Sequence, residues 1–94
     1  MIVRVAKFNA GRGDLGLDRS EWVIEAAREV PGVLALYHCM AADGSAVSIT
    51  VFEDPEAAEA AMARIESARE QHGHQVAPPD EANEYEVVGA LERP

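Results

Sequence analysis

Val33-Leu34-Ala35-Leu36-Tyr37-His38-Cys39-Met40, then Ala41-Ala42-Asp43-Gly44, then Ser45-Ala46-Val47-Ser48-Ile49-Thr50-Val51-Phe52, is the stretch that decides the architecture. Asp43-Gly44 has the composition of a tight hairpin turn, so the runs on either side read as adjacent antiparallel strands. The second run alternates cleanly, with Val47, Ile49 and Val51 on one face. The first is apolar on both faces, and such a strand needs cover on both sides. With a two- or four-residue loop, Met40 faces Val47, His38 faces Ile49 and Leu36 faces Val51, and this set is expected to pack against the helices. Tyr37 then opposes Thr50, Cys39 opposes Ser48 and Ala35 opposes Phe52 on the other face, which is mixed but too apolar for water. A bulge or a three-residue loop would swap the faces of the first strand and exchange the sides of His38 and Cys39.

Working outward, residues 2–8 read as a strand rich in Val and Ile. Residues 9–17 form a glycine-rich loop, after which Asp18 and Glu21 make a capping-box pattern. Trp22, Val23, Ala26, Ala27 and Val30 recur at helical spacing as one apolar stripe, and Pro31-Gly32 stops that helix. Asp54-Pro55-Glu56 opens a second helix: an Asp cap, Pro in the first turn, then an acid at the positive end of the dipole. Ala58, Ala61, Met62 and Ile65 mark its buried stripe, Glu59, Glu66 and Glu70 its solvated side, and Gly73 its end. Residues 74–83, with Pro78-Pro79, read as a loop, and residues 84–91 as a last strand. The order βαββαβ is the ferredoxin-like α+β arrangement, a four-stranded antiparallel sheet with two helices, expected as a single domain over residues 1–94. Two helices cover only one face of the sheet, so the other is expected to meet a second copy in a homodimer.

Composition narrows the partners. Eight Lys and Arg against 17 Asp and Glu leave a net charge of −9, which argues against nucleic acid and anionic membrane. One cysteine excludes an intrachain disulfide framework and fits a cytoplasmic protein. No stretch approaches the ~20 apolar residues of a membrane span, and no signal peptide is expected.

Several motifs compete with bland explanations. Gly11-x-Gly13-x-x-Gly16 follows a strand and precedes a helix, imitating a dinucleotide fingerprint. The helix signals begin too late for a pyrophosphate to sit on the helix end, and no acid ends the next strand to hold a ribose. Arg12-Gly13-Asp14 is a chance tripeptide. His72-x-His74, even with His38 or Cys39, has no second pair at ligand spacing, so no metal and no cofactor is expected. Cys39 reads as a small hydrophobe, because its neighbour His38 points to the opposite face. His38, set among Leu36, Met40, Val47 and Ile49, is either a bonded structural histidine or a pocket proton acceptor. Trp22 is core or pocket wall. Asn9, ending the first strand, either caps a turn or orients a substrate oxygen. If there is a pocket, it lies under the first helix against the helix-facing side of the sheet, lined by Asn9, Trp22, His38 and Met62.

Pro31-Gly32-Val33-Leu34-Ala35-Leu36-Tyr37, Asp43-Gly44 and Val47-Ser48-Ile49-Thr50-Val51-Phe52-Glu53-Asp54-Pro55-Glu56-Ala57-Ala58 together resemble the dimeric α+β barrel superfamily. The pattern is most similar to the antibiotic biosynthesis monooxygenase-like group and covers nearly the whole chain in order. Phe52 stands where members of that group usually carry a Trp. The resemblance implies a homodimer whose sheets pack face to face, with a small-molecule pocket in each subunit between sheet and helices. It further implies a cofactor-independent monooxygenase, an oxidoreductase acting on an aromatic or polyketide-like substrate. His38 and Asn9 are then the catalytic candidates, and Trp22 and Met62 the substrate contacts. Haem-degrading relatives use an Asn ending the first strand, matched by Asn9, with a Trp and a His on the second helix. Ala61 stands near the place of that Trp, and His72 is one residue from the place of that His. The rival reading is a ligand-binding or regulatory dimeric module that binds a metabolite without turning it over.

Overall fold

The computed structural model describes residues 1–10, 21–72 and 78–94 of the chain. They form β1 (Ile2–Phe8), α1 (Glu21–Arg28), β2 (Val33–Met40), β3 (Ala46–Phe52), α2 (Pro55–Gln71) and β4 (Glu81–Glu86). The strands make one antiparallel sheet in the order β2-β3-β1-β4, the ferredoxin-like arrangement expected from the sequence. The Asp18 cap, the glycine-rich loop from Gly11 and the helix end at Gly73 lie outside the described residues. No helix among the described residues is long and apolar enough to cross a membrane.

The hairpin differs from the expected register. Ala41 N–H bonds to the Ser45 carbonyl (2.8 Å) and Gly44 N–H to the Ala41 carbonyl (3.1 Å), so the loop holds three residues, 42–44. Gly44 takes a φ of 88°, the left-handed position that such a loop reserves for glycine. Asp43 braces the turn by accepting bonds from the Ser45 hydroxyl (2.6 Å) and N–H (2.9 Å). These bonds hold its carboxyl below the ordinary carboxylate range. His38 therefore opposes Ser48, Leu36 opposes Thr50 and Met40 opposes Ala46.

This shift corrects the facing of β3 and leaves that of β2. His38 and Leu36 do face the helices, but their neighbours there are Ser48 and Thr50, while Val47, Ile49 and Val51 lie on the opposite face. Phe52, expected on that opposite face, is instead fully buried (0 % exposed) beneath α2 with Ala57, Ala58 and Ala61. Those small residues let α2 approach the ring closely. Burying an aromatic of this size outweighs the gain from turning any one valine inward. Leu34 is an extra residue in the ladder, where the register shifts between Val33 and Ala35. This bulge lets both Val33 and Leu36 face the helices.

Two further features fix the helix layer. Asp54 caps α2 by accepting a bond from Ala57 N–H (2.8 Å). Gly32 sits against that first turn so closely that a Cβ there would stand 2.3 Å from the Cβ of Ala57. β4 begins and ends earlier than the expected 84–91. Its partner β1 supplies Ile2 to Lys7 for Glu86 to Glu81, and the pairing runs out where Val87 N–H meets the Met1 carbonyl. Beyond that point no described strand pairs with the chain.

Candidate functional site

Alternation along the strands puts Ile2, Arg4, Ala6 and Phe8 of β1 on the same face as Ala46, Ser48, Thr50 and Phe52 of β3. This face is covered by α1 and α2. Where Phe52 meets α2 the layers close; towards the other end they separate around a cavity of about 80 Å³. Arg4, Ala6 and Phe8 form its floor with Ser48 and Thr50 of β3 and Leu36 and His38 of β2. Val23 of α1, Met62, Ile65 and Arg69 of α2, and Pro79 roof it. It adjoins an open groove of about 610 Å³ that runs out between α2 and Pro78-Pro79. Arg4, Met62, Ile65, Arg69 and Pro79 line both.

The walls are apolar and the polar groups few, the make-up of a small-molecule site. Burial pushes the His38 pKa below the ordinary imidazole value, which favours the uncharged ring. Thr50 is 5 % exposed, and its hydroxyl and that of Ser48 stand on the register rows of Leu36 and His38. Arg4 lies 3.9 Å from Glu84, its neighbour on β4, and Arg69 lies 3.3 Å from Glu66.

Of the four expected site residues, the structure brings His38 and Met62 together at this cavity. Trp22 stands behind the wall: it is buried with Ala26 and Ala68, against Val23 and Ile65. Its ring stacks on His72 at 4.9 Å, nearly parallel, and its indole N–H meets no acceptor among the described residues. Asn9 is exposed at the end of β1, where its backbone N–H donates to Asp80 (2.7 Å), and it is not among the described lining residues. Cys39 is exposed on the opposite face from His38. His74 lies outside the described residues, and among those described no three His, Cys, Asp or Glu gather as a metal site.

Sequence reasoning did not pick out Arg4, Arg69, Ser48 or Thr50. Arg69 was detectable, because it continues the Met62, Ile65 spacing on α2. Arg4 was hidden, because alternation alone places Val3 and Val5 inward.

No protein-family model and no curated protein sequence matches the chain. Solved structures do. SnoaB, a cofactor-independent oxygenase from Streptomyces nogalater, superposes with a TM-score of 0.76 at 18% identity, over 98% of this chain and 97% of that one. A monooxygenase from the gene ActVA-Orf6 of Streptomyces coelicolor, solved with the ligand nanaomycin D, matches with a TM-score of 0.71 at 21% identity, over 99% and 92%. Rv0793 from Mycobacterium tuberculosis matches with a TM-score of 0.74 at 14% identity, over 97% and 98%. The chain thus has the fold of antibiotic biosynthesis monooxygenase-like proteins, and at these identities the likeness establishes the fold alone.

Proposed function

We propose that the protein is a homodimeric, cofactor-independent monooxygenase that oxidises a phenolic or enolic aromatic compound in the cavity under its helices. The observation that carries this reading is a half-buried imidazole, its uncharged form favoured by burial, facing an apolar cavity that also holds two hydroxyl groups. His38 takes the proton of the substrate hydroxyl, and the resulting anion is electron-rich enough to react with dioxygen directly. Apolar walls keep water from competing. The reaction balances without a helper: one oxygen atom of O₂ joins the ring carbon, and the other leaves as water with that carbon's hydrogen and the hydroxyl proton. The substrate supplies all four electrons and ends as a quinone. Met62 contacts the substrate in this reading, Trp22 backs the cavity wall, and Asn9, the second catalytic candidate, acts from the end of β1. The oxygenases sharing the fold support it.

The homodimer rests on the second face of the sheet. Val3, Val5, Ala35, Val47, Ile49 and Val51 line it with Tyr37 (58 % exposed), and no helix among the described residues covers them. Beyond β4, Val88 (95 % exposed) and Leu91 are exposed as well. A second copy is the partner that such a face fits.

The small inner volume favours a second reading, a dimeric module that binds a ligand without converting it. Oxygen uptake separates the two. With 1-naphthol as substrate, the wild type should consume oxygen and form naphthoquinone, and His38→Gln should lose most of this rate while remaining folded. Binding of the naphthol with no oxygen uptake in the wild type contradicts the oxygenase reading and supports the binding module.

A further inference from the structure

The geometry points to an anion subsite formed by Arg4 and Arg69 at the junction of cavity and groove, so that the molecule bound there is an aromatic carboxylic acid. This deepens the reading of the cavity as a substrate site and rests on it.

Arg4 is out of place for a structural residue. It sits in the helix-facing row of β1 between Ile2 and Ala6, and its side chain is 25% exposed. A guanidinium in such a position needs acceptors for its five N–H donors. Among the described residues the Arg4 guanidinium finds no hydrogen-bond acceptor. Glu84 directly across the sheet approaches no closer than 3.9 Å, beyond hydrogen-bond reach, and is itself 47% exposed. A pair that long and that wet contributes little, so it does not account for a cation on the core face. Arg69 lines the same openings from α2, with its side chain 15% exposed and held 3.3 Å from Glu66, which also lines the groove. Both arginines line both the cavity and the groove, in a chain with 17 acids and only eight bases. Two guanidinium groups lining one opening suit a carboxylate, which Arg4 can grip through paired N–H bonds with the Arg69 charge beside it. The apolar walls of Phe8, Leu36, Met62 and Ile65 suit a ring system behind it.

Register also sets the length of the ligand. Arg4 is opposite Thr50, and His38 is opposite Ser48, one facing pair along the same face and two strands away. Standard sheet spacings place their Cα atoms on the order of 12 Å apart. With both side chains reaching inward, a two-ring acid can place its carboxylate at Arg4 and a hydroxyl at His38.

The test compares 6-hydroxy-2-naphthoic acid with its uncharged amide, titrated at low salt and followed by ligand fluorescence. The acid should bind about tenfold tighter or more, as charge-assisted bonds require, and salt should erode that preference. Arg4→Gln should remove most of the preference and leave the amide's affinity nearly unchanged; Arg69→Gln should do the same if Arg4→Gln proves poorly folded. Equal binding of acid and amide, or a preference that survives in both variants, overturns the subsite. Oxygen uptake is read separately. An acid preference without turnover leaves the subsite standing and removes the oxygenase reading, and turnover of the amide without any acid preference does the reverse.

Discussion

The two faces of this sheet differ in a way that inverts the usual expectation. The face under the helices carries Arg4, His38, Ser48 and Thr50 around a cavity, whereas the face without helices is lined by Val3, Val5, Val47, Ile49 and Val51. A protein that used its helices only to bury apolar surface would have the reverse arrangement. The covered face closes tightly where Phe52 meets the alanines of α2; around the cavity it encloses polar groups, at a cost in packing. The proposed function rests on this difference, with small-molecule binding under the helices and self-association on the open face.

Substitutions on each face should separate these jobs, and the largest effect belongs to the open one. Ile49→Asp places a charge in the middle of the proposed interface and should abolish the dimer. Light scattering should read twice the 10.1 kDa chain mass for the wild type and a monomer or an unfolded chain for the variant. A wild-type monomer at low micromolar concentration removes the interface. On the covered face, Phe52→Ala should cost about 3–5 kcal/mol, measured by urea unfolding. That is a large share of the stability of a small domain. A loss below ~1 kcal/mol would mean that the contact with α2 is loose.

Smaller effects sharpen the picture. Gly32→Ala drives a methyl into Ala57 and should cost about 1–3 kcal/mol through strain at the first turn of α2; an unchanged urea midpoint contradicts that close approach. The smallest effect is a pH dependence. Burial depresses the pKa of His38 in the folded state, so below the ordinary value of about 6.5 the unfolded chain binds a proton that the folded chain resists. The stability of the wild type should be fully present above that value and decline as pH falls through the window beneath it. His38→Gln should flatten the decline. If the variant declines as steeply, other groups set the acid limb.

The comparison of faces also shows what was legible in the sequence. Element order and the two helix stripes could be read directly, because Trp22, Ala26, Ala58, Ala61, Met62 and Ile65 obey helical periodicity and Asp54-Pro55 is an unambiguous start. The facing of β3 could not. It depends on one residue of loop length at Asp43-Gly44, and with Val47, Ile49 and Val51 on one row and Phe52 on the other, both rows of the strand are plausible interiors. The same ambiguity hid Arg4, whose row looks external beside Val3 and Val5. His38 was identified because its own strand kept the expected facing, although its opposite number is Ser48 and not Ile49. Asn9 and Trp22 were chosen for chain position and chemistry, and neither property reports whether a side chain lines a cavity or stands behind its wall.

The claim that one face holds the ligand is tested most directly by nuclear magnetic resonance, following side-chain methyl signals as 1-naphthol is added. Val23, Leu36, Met62 and Ile65 should shift together and saturate with a single affinity, while Val3, Val5, Val47, Ile49 and Val51 stay in place. Shifts centred on that second group, with the cavity methyls unmoved, would put the ligand on the open face and contradict the account.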